Sequence, residues 1–117
     1  MKSIISAIAL TLITSLAFSQ TQLEMNEQAA KEYKISDKKL GKVYNELIKS
    51  LKPSKERDLL IKAQRNWINF RDAHAKYQES FYAGGSMQPL IYLGTLKELT
   101  DTRIKQLQDS LDELRAH

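Results

Sequence analysis

The chain has 117 residues, with 18 basic and 14 acidic side chains, a formal charge of +4 and no cysteine. That length allows one domain. The missing cysteines exclude a disulfide framework, and a mild charge balance with both signs interspersed excludes the dense basic surface of a nucleic-acid-binding domain.

The first stretch reads as an address. Met1-Lys2-Ser3 is a short positive start, and the apolar run from Ile4 to Phe18 is shorter than the ~20 residues of a spanning helix. Leu16-Ala17-Phe18-Ser19-Gln20 puts small residues where signal peptidase reads, so residues 1–19 are expected to be a secretory signal cut between Ser19 and Gln20. Residues 20–117 then form a single exported helical domain with 17 basic and 14 acidic side chains, a formal +3. A core must hold such a domain together without staples, and ~100 residues can bury one.

From Thr21 onward the pattern is helical. Thr21 with Glu24 three residues later has the form of a capping box, which predicts a short first helix to about Tyr33. Ser36 is a good N-cap, so a break or kink is expected at Ile35-Ser36-Asp37. Leu40, Val43, Tyr44, Leu47, Ile48 and Leu51 recur at three-four spacing, the stripe of an amphipathic helix. Pro53 stops it, because proline lacks an N–H and disfavours helical geometry at Lys52. Ser54 caps the next helix, with Glu56 in its first turn.

That helix carries Leu59, Leu60, Ala63, Trp67, Phe70, His74, Tyr77 and Phe81, with Ala63, Trp67 and Phe70 expected on its core face. Gly84-Gly85 ends it. Ser86 is available to cap the last helix, and Pro89 falls in its first turn. Leu90, Ile91, Leu96, Leu99, Ile104, Leu107, Leu111 and Leu114 carry it to the end. A tight glycine turn between two long helices makes an antiparallel hairpin, in which Ala75 should approach Thr95 and Trp67 should approach Arg103. The fold class is all-α: a small up-down helical bundle with a long helical hairpin, plus a short N-terminal helix.

No constellation of catalytic type is visible. His74 is the only histidine before the terminal His117 and has no evident partner for acid–base chemistry. Neither a nucleophile nor a metal-ligand set is spaced for work, so no cofactor or metal is expected. Asp109, Asp112 and Glu113 alternate with leucines as a solvated helix face does. Arg71 and Asp72 are expected to tie helices together, Arg71 to an acid such as Glu98 or Asp101, or Asp37 to Arg103. The aromatic residues beside the glycine turn mark that end as a candidate contact surface, with Tyr82, Gly84, Gly85, Ser86 and Met87 as its residues.

Met25-Asn26, Ala29, Tyr33, Asp37, Leu40 and Tyr44, then Ala63-Gln64, Trp67, Phe70-Arg71-Asp72-Ala73, Gly84-Gly85-Ser86, Leu99-Thr100 and Arg103 resemble the lysozyme inhibitor LprI N-terminal-like family. The resemblance covers about Thr21 to Leu107. It implies a small exported helical domain in which Met25, Asn26, Tyr33, Asp37, Tyr44, Gln64, Trp67, Phe70, Arg71, Asp72 and Arg103 are structural. It also implies a non-enzymatic binding protein that protects the envelope by occupying lysozyme. The alternative is an envelope interaction module with another protein partner. Relatives carry cysteines where this chain has Gln28, Ala75 and Thr95, which shifts more of the stabilisation onto Trp67 and its neighbours.

Overall fold

The computed structural model describes the backbone of residues 2–117 and the side chains of residues 16–117 apart from Phe18. Most of the expected signal, including the apolar run from Ile4, lies outside the described side chains. Three helices follow one another: α1 (Lys2–Ser50), α2 (Lys55–Ser80) and α3 (Gln88–Ala116). Among the described residues there is no strand, and no helix is long and apolar enough to cross a membrane.

The order is up-down-up. Gln22 of α1 meets Ser86 at the turn before α3, and Glu46 meets Arg115 near the chain end, so α1 and α3 run parallel with α2 returning between them in sequence. α3 is the spine: it packs along both α1 and α2, whose own backbones come close to each other at few points. The core joins Leu40, Val43 and Leu47 of α1 to Ile104, Leu107 and Leu111 of α3, with Tyr44, Leu51, Leu60 and Trp67 packed around it.

The separate first helix is not observed. α1 runs unbroken past Ile35-Ser36-Asp37. Thr21 is a helix-interior residue whose hydroxyl donates back to the Ala17 carbonyl, 3.0 Å away, rather than capping anything. Ser36 is buried, because it sits in the inward row Gln22, Asn26, Ala29, Tyr33, Ser36, Leu40, Val43, Leu47. That row keeps a strict four-three spacing, the period that holds one face against a neighbouring helix. A capping signal is local, and packing against α3 overrides it.

The second break falls as expected. α1 stops at Ser50, and the Ser54 hydroxyl accepts from the Arg57 N–H at 3.2 Å. At the tip Gly84 has φ +78°, the left-handed geometry that glycine adopts without strain. Ser86 does not cap α3. Met87 occupies that position without a side-chain bond, and Pro89 lies in the first turn, where its missing N–H goes unused.

The face assigned to α2 needs correction. Its buried residues are Gln64, Arg71 and Ala75, while Leu59, Ala63, Phe70, Tyr77 and Phe81 are exposed and Trp67 lies half-buried at the rim of the core. Burying a glutamine and an arginine is tolerated because both are hydrogen-bonded across the helix junction, which removes the usual cost of polar burial. Leu114, expected to continue the α3 stripe, is exposed.

Candidate functional site

The motif residues of the middle of the chain converge where the three helices meet. Arg71 of α2 points inward, donating from Nε to Asp72 at 3.0 Å and from Nη1 to Asp37 of α1 at 3.2 Å. Nη1 also lies 3.5 Å from the Thr100 hydroxyl of α3. One guanidinium thus reaches both neighbouring helices, a use of its planar fork that lysine cannot reproduce. Its carbon lies 5.2 Å from the Trp67 ring centroid and 5.7 Å from that of Tyr33, within cation–π range.

Arg103 lies 5.9 Å from the same indole, as the hairpin register predicts, and donates to buried Gln64 at 3.0 Å and to Gln106 at 3.1 Å. Electrostatics follow the packing. Burial pulls the Arg71 pKa down, but its bonds to Asp72 and Asp37 together with the charge interactions with Tyr33 and Asp72 outweigh it, so the net shift is upward. The Tyr33 hydroxyl is pushed up by burial, partly offset by Arg71, and Arg103 is pulled down by burial. The expected pairing of Arg71 with Glu98 or Asp101 does not occur, since Asp101 pairs with Lys97 at 2.6 Å. Nor does Asp37 bind Arg103.

This cluster gathers Tyr33, Asp37, Gln64, Trp67, Arg71, Asp72 and Arg103. Met25, Asn26 and Phe70 stand outside it: Met25 and Phe70 are exposed, and Asn26 accepts from Gln22 at 3.1 Å. Tyr44 packs on the core instead. Beside the cluster, the space between α1 and α2 opens into an apolar groove of about 300 Å³. Leu40, Gly41 and Tyr44 form one wall, Ile61, Gln64 and Ile68 the other, and Arg71 with Asp37 stands at its edge. Sequence reasoning missed this groove, which exists because α1 and α2 each lean on α3 rather than on one another.

The other flank of α2 carries a row of rings. Phe70 stacks on His74 at 5.4 Å between centroids, His74 meets Tyr77 at 5.9 Å, and Tyr77 meets Phe81 edge-on at 5.2 Å. Their spacing of four, three and four residues lines them up over ~16 Å of helix. Phe70, Tyr77 and Phe81 are more than half exposed, at 53%, 57% and 69%, and Tyr82 and Met87 are exposed at the tip.

The tip itself is tightly made. Gly84 N donates to Gln88 at 3.1 Å, Gly85 N to the Tyr82 carbonyl at 3.0 Å, and Gln22 of α1 to the Ser86 carbonyl at 3.0 Å. A Cβ on Gly85 would stand 3.3 Å from the Tyr82 carbonyl oxygen. Tyr82, Gly84, Gly85, Ser86 and Met87 are therefore together, exposed, and held on a defined turn.

The model of the lysozyme inhibitor LprI family matches residues 15–107, most of the chain and all of the cluster and tip. The chain belongs to the lysozyme inhibitor LprI family. An uncharacterized protein of Rhizobium meliloti (strain 1021) is 28% identical over 104 residues, which cover 79% of this chain and 75% of that protein. No solved structure matches. Within the LprI match, Arg71, Trp67 and Arg103 are internal fasteners, whereas the aromatic flank and the tip face outward.

Proposed function

We propose that this chain is an exported, non-enzymatic binding protein that shields the cell envelope by occupying a lysozyme, through the aromatic flank of α2 and the glycine tip. The observation that carries this reading is the exposure of Phe70, Tyr77 and Phe81 in one row of contacting rings, with Tyr82 and Met87 exposed at the tip beyond it. The core does not use them, and a contiguous apolar patch on a small domain marks an interface. Aromatic rings suit that role because they bring large contact area with little side-chain entropy to lose. Membership of the lysozyme inhibitor LprI family supports a lysozyme as the class of partner.

The +3 charge of residues 20–117 offers a basic lysozyme no long-range attraction. Close fit must then carry the affinity, which favours a thin, rigid tip over a charged loop. The test is lysozyme turnover with a micromolar excess of protein, beside the double variant Phe81→Ser, Tyr82→Ser. Inhibition is expected for the native chain and a loss of about tenfold or more for the variant, since hot-spot aromatics contribute at least that much. Full turnover in the presence of native protein contradicts the proposal.

A second reading, an interaction module for another envelope protein or a second copy, is favoured by the row's position along a helix flank rather than at the tip alone. A shift to a larger particle with rising concentration in light scattering supports it.

A further inference from the structure

The outer face of α1 carries a feature that neither the inhibitor reading nor the core explains. Lys31, Lys34, Lys38 and Lys42 recur at three-four spacing, Lys49 follows two turns on, and all five are exposed. At ~100° per residue they fall on one side of the helix, nearly opposite the inward row Ser36, Leu40, Val43, Leu47. The stripe is ~27 Å long. None of the ion pairs among the described residues involves these lysines.

The acids of the same stretch are engaged elsewhere. Asp37 accepts from Arg71, Glu46 faces Arg115 at 3.7 Å, and Glu32 accepts from Gln28 at 3.2 Å. From Lys31 to Lys49 the result is a cationic face with no acid on it, while Glu24 and Glu27 stand on the same side in the turns before it.

We infer that this face docks on an anionic phospholipid surface. Two observations select lipid over other polyanions. First, Lys31, Lys34 and Lys38 surround Ile35, whose side chain is 69% exposed, and the shallow depression among them is walled by their stems. An apolar residue ringed by lysines can enter the headgroup layer while the ammonium groups stay among the phosphates. Second, the stripe holds no arginine and no aromatic ring, the groups that grip phosphate bidentately or stack on bases. Lysines alone suit the diffuse charge of a membrane surface. The face would hold an exported inhibitor beside the envelope, with the aromatic flank on a different helix.

The experiment measures sedimentation of the full chain with vesicles of phosphatidylcholine, with and without phosphatidylglycerol. Any affinity from the apolar N-terminal stretch appears with both, so the readout is the gain on adding anionic lipid. That gain is expected to fall at high salt and to drop about 25-fold in Lys34→Gln, Lys38→Gln, at roughly fivefold per lysine. Ile35→Ser should lower it further at fixed charge. Lys62→Gln, Lys76→Gln, which removes the same charge from α2, is expected to keep it. Circular dichroism checks that each variant is helical. Equal binding to both vesicles, equal loss in the stripe variant and the α2 control, or capture by soluble polyphosphate without vesicle binding each overturns the inference.

Discussion

Arg71 is the only charged side chain buried among the described residues, yet its acidic partners are half exposed, at 51% for Asp37 and 49% for Asp72. That asymmetry decides which substitution matters. Had both members of a pair been buried, deleting either would strand a charge at ~3–5 kcal/mol. Here water takes over the solvation of an unpaired Asp37 or Asp72, and the arginine keeps one carboxylate and Thr100 when the other is lost. Asp37→Asn is expected to cost less than ~1 kcal/mol, in the range of exposed pairs. Arg71→Ala removes the buried stem and its bonds to two other helices, at ~2–4 kcal/mol. Urea unfolding of the two variants measures the difference, and equal losses contradict the asymmetry.

At the scale of elements, the clearest signals in the sequence are those that end helices by backbone chemistry. Pro53 with Ser54 and the Gly84-Gly85 pair each act wherever they stand, and the hairpin register followed from the second, bringing Trp67 to Arg103. The errors came where side chains alone were read. Ser36 has the chemistry of a cap but the position of an inward residue, and nothing at Ile35-Ser36-Asp37 prevents a helix from continuing. Phe70, Tyr77 and Phe81 look like core by composition, and only the burial of Gln64, Arg71 and Ala75 shows that the inward face lies about a third of a turn away. The aromatic tip was legible as a cluster back to Tyr77 and Phe81, but its extension to His74 and Phe70 was not. The lysine stripe is present in the spacing of α1, but by spacing alone it does not differ from an ordinary solvated face.

Two glycines test the same distinction between backbone and side-chain effects. Gly41 lies inside α1, and a Cβ there meets nothing within 4 Å, so Gly41→Ala should raise stability by ~1 kcal/mol through reduced chain freedom in the unfolded state. Gly84 also has open space around it, but its φ of +78° makes Gly84→Ala cost ~1–2 kcal/mol. Thermal unfolding should therefore move in opposite directions for two substitutions that are identical in chemistry and equal in steric room.

For the whole molecule, stability and contact surfaces are segregated. Every buried side chain among the described residues lies between Ser36 and Leu111, while the aromatic flank, the lysine face and the groove occupy different sides of the three helices. The part of α1 before Ser36 adds half-buried contacts, the first cross-helix bond of which is Gln22 to Ser86. A chain starting at Gln20, the product of the proposed signal cleavage, keeps that bond and the whole core. It should unfold in one cooperative step with a midpoint within a few degrees of the full chain. Leu111→Ala, by contrast, empties a fully buried position facing α1 and should cost ~2–5 kcal/mol. Calorimetry on both separates the possibilities: a large drop on removing residues 1–19 shows that stabilising contacts lie before Gln20, and then the shortened chain is not a self-sufficient domain.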